Sequence, residues 1–162
     1  MSDELITIAA RLTLSVLVGG VIGLHRDLHR KPAGVRTHAL VSLGTALMVI
    51  VVMPPGGDLT HRYDALSRVI QGVLTGIGFL GAGVILRNPD MRQVRGLTTA
   101  ATVWLTALLG VACGIGAYGP VGVAITLAAI VMLFGGRFER ALRTRYRKSH
   151  VPQADKLADP PP

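Results

Sequence analysis

The sequence predicts an all-α polytopic membrane protein of about five transmembrane helices, with its amino terminus outside and its carboxyl terminus in the cytoplasm. Two observations carry this. First, half of the 162 residues are hydrophobic and 16% are charged, against about 25% charged in a soluble domain. The apolar residues fall in long blocks, the pattern of membrane spans, and mean hydropathy is +0.50. Second, Lys and Arg alternate with those blocks, and cytoplasmic loops are where they gather.

The first block, 5–24, is broken only by Arg11. Asp3 and Glu4 precede it where a secretory signal would be positive, and no small-residue cleavage site follows, so it reads as a retained span. Arg26, Arg30, Lys31 and Arg36 come next. The second block, 38–53, is short for a span. The loop after it carries Arg62 and Arg68, offset by Asp58 and Asp64. The third block, 69–86, leads to Arg87, Arg92 and Arg95. The fourth and fifth share one apolar run, 97–136. As a helix it would be about 60 Å long, twice the roughly 30 Å of a hydrocarbon core. It must turn back once, and Gly114, Gly116, Gly119 and Pro120 mark the place.

Fourteen of the 17 Lys and Arg residues fall on one side of this scheme and two on the other, with Arg11 inside the first span. Only an odd number of spans gives that alternation. Residues 1–136 thus form a transmembrane domain. Residues 137–150 read as a basic helix whose Phe138, Leu142 and Tyr146 make one apolar stripe, suited to an anionic lipid surface. Residues 151–162, proline-rich and polar, are expected to be disordered. The localisation expected is the inner (plasma) membrane.

Net charge of +8 would suggest nucleic acid on a soluble protein, but its distribution is that of membrane topology, and nucleic-acid binding is set aside. No hydrolase triad, phosphate loop, zinc-protease or dinucleotide motif occurs, so no catalytic residue and no cofactor are assigned and an enzyme is not expected. The single Cys113 cannot form an intramolecular disulfide. His25 and His29 have the i,i+4 spacing that can chelate a metal, but no third ligand is evident unless His38 approaches, neighbouring Arg26, Arg30 and Lys31 repel a cation, and no metal site is assigned.

Chemistry is sought in the spans. Gly72, Gly76, Gly78, Gly81 and Gly83 crowd the third. Gly72/Gly76, Gly19/Gly23 and Gly110/Gly114 have the small-xxx-small spacing that lets helices approach closely. The run 76–83 reads either as a packing face or as a broken helix beside a polar site. Asp64 and Arg68 stand at its outer end, with Gln71 within the span. Arg11 either pairs with Asp64 or Asp58 or snorkels to the interface. Thr98, Thr99 and Thr102 open the fourth span, with Trp104 beyond; their hydroxyls can bond across helices or to their own backbone.

Four ordered strings carry a resemblance: Gly23-Leu24-His25-Arg26-Asp27, Lys31-Pro32-Ala33-Gly34-Val35-Arg36-Thr37-His38, Gly76-Ile77-Gly78-Phe79-Leu80-Gly81-Ala82-Gly83, and Val94-Arg95-Gly96-Leu97-Thr98-Thr99-Ala100-Ala101-Thr102-Val103-Trp104. Over about 12–118 the chain resembles the MgtC/SapB family of bacterial membrane proteins. The resemblance implies a small inner-membrane bundle tied to magnesium limitation, survival in macrophages, virulence and restraint of the F-type ATP synthase. Family members usually have glutamate where this chain has His25, and an acid three residues before the arginine where Asp64 stands four before Arg68. Longer members add a soluble carboxyl-terminal domain, so functions housed there are expected to be absent here.

The leading expectation is a non-enzymatic modulator of another membrane system in magnesium limitation or acid stress; the alternative is a cation (magnesium) transporter or channel. The functional candidates are Arg26, Arg36, Thr37, Asp64, Arg68, Gln71, Gly76, Gly78, Gly81, Gly83, Thr98, Thr99 and Trp104. The partners expected are membrane lipid, a membrane protein such as the F-type ATP synthase (by resemblance), and a second copy of the chain.

Overall fold

A computed structural model describes residues 2–56, 62–86 and 96–149, with side chains as far as 136 except that of Leu86. The described residues form five α-helices: α1 Ser2–Leu28, α2 Val35–Val52, α3 Arg62–Leu86, α4 Leu97–Ile115 and α5 Tyr118–Ser149. All five are long and apolar enough to cross a membrane. The short second block is a full helix of 18 residues, about 27 Å at 1.5 Å per residue. The turn expected at the glycine–proline cluster lies at 116–117.

Each connection has a local cause. α1 ends where Arg30 takes a left-handed φ of 50°. The Lys31 N–H then reaches back to the Arg26 carbonyl at 3.0 Å and that of Arg30 to Asp27 at 3.0 Å, the paired bonds of a Schellman end. The Asp27 carboxylate next accepts the Val35 N–H at 2.9 Å and caps α2. A Cβ on Gly34 would run into that carboxylate and displace the cap. α4 ends the same way. Gly116 has φ 89°, and the N–H groups of Gly116 and Ala117 return to Cys113 at 3.0 Å and Ala112 at 2.9 Å. Pro120 then falls in the first turn of α5, where its missing N–H costs nothing.

The chain divides into two compact units, Met1–Ile125 and Thr126–Pro162. In the first, α2 lies between α1 and α4, and α3 packs on α4 and α2. Val49, Met53, Leu66, Val73, Ile77, Val103, Ala107 and Val111 form the apolar cluster joining α2, α3 and α4. Large apolar side chains also cover the outside: Leu17, Val21, Leu40, Val51 and Val123 are all more than half exposed, and Phe79 is 81% exposed. Surfaces of that kind on helices of this length belong in lipid. The second unit is the rest of α5, which continues as a helix to Ser149. The side chains of the expected apolar stripe and the tail 151–162 lie outside the described residues.

Candidate functional site

Glycine sets how closely α1, α2 and α4 approach. A Cβ on Gly19 would stand 2.5 Å from the His38 carbonyl oxygen, and one on Gly23 would stand 2.5 Å from the Val35 Cα. On α2's other side, a Cβ on Gly114 would lie 2.7 Å from the Ala46 carbonyl oxygen, and one on Gly110 would lie 2.9 Å from the Ser42 Cα. These are backbone atoms that cannot yield. α2 is therefore gripped from both sides by the small-xxx-small pairs of α1 and α4. The Gly72/Gly76 pair does not pack in this way, because a Cβ at either would meet open space. Nor is the glycine-rich run a broken helix: α3 passes unbroken through Gly76–Gly83.

A polar seam lies between the gripped helices. Arg26, at the end of α1, is 4% exposed. Its guanidinium donates to the Thr99 hydroxyl of α4 and, at 3.3 Å, to the Pro32 carbonyl. His38 of α2 is fully buried. Its Nδ1 donates to the Gly34 carbonyl at 3.0 Å, and Nε2 faces the Thr102 hydroxyl at 3.4 Å. A carbonyl can only accept, so Nδ1 carries a hydrogen. The Thr102 hydroxyl bonds the Thr99 carbonyl at 2.9 Å, and that of Thr106 the Thr102 carbonyl at 2.8 Å. Thr99, Thr102 and Thr106 thus form one buried ladder on α4, bonded to Arg26 at its first rung and beside His38 at its second.

Arg11 closes the opposite end. It donates to the Gly114 carbonyl at 2.8 Å, where the last carbonyls of α4 are unsatisfied and the helix dipole favours a cation. Its partner is therefore a helix end and not Asp64; Asp58 lies outside the described residues. Arg11 and Arg26 are separated by the same sequence distance on α1 as Gly114 and Thr99 are on α4. The two arginines pin these antiparallel helices at both ends.

The sequence candidates separate into three places. Arg26 and Thr99 meet in the seam. Arg36 and Thr37, in the first turn of α2, and Thr98, one residue from the seam, are exposed. Asp64, Arg68, Gln71, Gly76, Gly78 and Gly83 are exposed on α3, while Gly81 is buried with a Cβ position 3.4 Å from that of Ala100. Trp104 is 45% exposed on α4. Sequence reasoning missed His38, Asp27, Thr106 and the role of Arg11. The i,i+3,i+7 spacing of the threonines was available to find the ladder; nothing local showed that His38 is buried beside it. His25 and His29 stack with ring centroids 4.2 Å apart, and no group of three metal-binding side chains forms among the described residues.

The sequence profile of the MgtC family matches residues 12–141, the whole seam included. SrpB of Synechococcus elongatus is 48% identical over 129 residues, which is 74% of this chain and 71% of SrpB. MgtC of Salmonella typhimurium is 41% identical over 107 residues, 66% of this chain but only 43% of that protein. YhiD of Escherichia coli K12, named as a proposed magnesium transporter, is 40% identical over 126 residues, 74% of this chain and 57% of YhiD. The chain therefore spans most of SrpB and about half of MgtC and YhiD. No solved structure matches it.

Proposed function

The chain belongs to the MgtC family of membrane proteins, and on that premise we propose that it is a non-enzymatic inner-membrane modulator acting on another membrane system in magnesium limitation or acid stress. The amino terminus lies outside and the carboxyl terminus in the cytoplasm, as the Lys/Arg alternation requires. The observation that carries the reading is the packing of α2. It is held backbone to backbone at four glycines, and beside it Arg26 and the threonines of α4 bond to one another and to carbonyls. That arrangement fixes the spacing of these three helices. Arg36, Asp64, Arg68 and Gln71 face outward, where another protein can meet them.

A second reading, magnesium transport, is favoured by YhiD's name and by the polar groups on α3. Complementation tests the first. Deletion of the gene is expected to impair growth at low magnesium or low pH more than in rich neutral medium. An Arg36→Ala protein should insert normally yet fail to restore growth. Normal growth of the deletion strain under both stresses, in a background without a paralogue, rejects the modulator. Co-purification from native membranes, with the F-type ATP synthase as the first candidate, identifies the partner.

A further inference from the structure

The face of α3 turned away from the bundle is not built for lipid. α3 buries Leu66, Val73 and Ile77. On the opposite side, steps of four and three residues bring Asp64, Arg68, Gln71, Thr75, Gly78 and Ala82 into one line, the spacing of a coiled-coil seam. All six are exposed. The line is about 27 Å long, nearly the thickness of a hydrocarbon core. It is polar in its first half and small in its second.

Gln71 lies roughly 4 Å along the axis from the middle of the Arg62–Ile85 span. The Thr75 hydroxyl donates to the backbone carbonyl of Gln71 at 2.9 Å and leaves the side-chain amide unsatisfied. That amide has no hydrogen-bond partner among the described residues, nor do Asp64 and Arg68 have an ion-pair partner there. An amide facing hydrocarbon without a partner is costly.

We propose that this face is where two copies of the chain meet, α3 beside α3, about a two-fold axis along the membrane normal. Copies inserted the same way pack their third helices in parallel, so each residue on the line meets its own counterpart. A carboxamide both donates and accepts, so two Gln71 side chains satisfy each other. The line carries one acid and one base a turn apart. Asp64 of each copy therefore pairs with Arg68 of the other, twice about the axis, whereas a purely acidic or purely basic partner leaves one charge uncompensated. Gly78 and Ala82 let the backbones close at the other end, and the four-three spacing gives a shallow left-handed crossing of about 20°.

Oxidative cross-linking of the full chain in native membranes tests this without reading growth, so it stands or falls apart from the modulator reading. In a Cys113→Ala background, single cysteines at Gln71, Thr75, Gly78 and Ala82 should give disulfide dimers several-fold above those at Gly72, Val73 and Gly76. Adding Gln71→Leu should lower cross-linking at Ala82→Cys about threefold, the average that an interhelical hydrogen bond contributes in a membrane. Dimers at no position, a maximum at Gly72 and Gly76, no response to Gln71→Leu, or adducts to a different protein would each overturn the proposal.

Discussion

At the scale of the residue, Arg26 joins three segments: its own helix, the Pro32 connection and Thr99 of α4. Bonds from a charged donor contribute about 1.5–3 kcal/mol each. Arg26→Ala is therefore expected to lower the stability of the purified protein by about 2 kcal/mol or more, measured by thermal denaturation in detergent. Thr99→Val should cost about 1–3 kcal/mol, since it strips a buried donor of its acceptor. The neighbouring exposed Thr98→Val should stay within about 0.5 kcal/mol. Equal effects at Thr98 and Thr99 would remove the seam as the source of stability. Thr98 and Thr99 look identical in the sequence. Only the rotation of α4 against α2 decides which hydroxyl turns inward, and that rotation is fixed by Gly110 and Gly114.

At the scale of the element, glycine spacing is a promise of close approach without an address. Three small-xxx-small pairs were legible in the sequence, and the densest string, on α3, drew the most weight. Within the chain, close approach falls to Gly19/Gly23 and Gly110/Gly114, because α2 is the central helix and only α1 and α4 flank it closely. Gly110→Leu or Gly19→Leu should abolish folded protein, while Gly76→Leu, which meets open space, should leave a stable bundle. Detergent-extracted yield and size-exclusion profile measure this; a Gly76→Leu protein as damaged as Gly110→Leu would contradict the packing. The spans themselves were readable because lipid admits only long apolar helices. The α4–α5 turn was readable because glycine takes a left-handed φ at least cost and proline is tolerated only at a helix start. His38 was not readable. A histidine at the start of a span looks like a rim residue until the Cα of Val35 and the carbonyl of Gly34 are seen to carry it under α1.

At the scale of the whole molecule, α1 and α4 run antiparallel, with Arg26 and Thr99 at one end and Arg11 and Gly114 at the other. The Lys/Arg alternation requires the same relation. A reporter fused after His150 is expected to read cytoplasmic and one near Gly57 periplasmic; the same compartment at both positions would contradict the five-span scheme. Function is least legible at this scale, because a bundle whose buried arginines bond to a threonine and to backbone carbonyls names no substrate, and its outward groups acquire meaning only against a partner. The central claim is that the bundle acts by shape and contact and does not conduct ions. Magnesium uptake into liposomes containing the purified full-length chain tests it most directly. The account predicts uptake no greater than in empty vesicles; saturable uptake that Asp64→Asn abolishes would contradict it and make the chain a transporter.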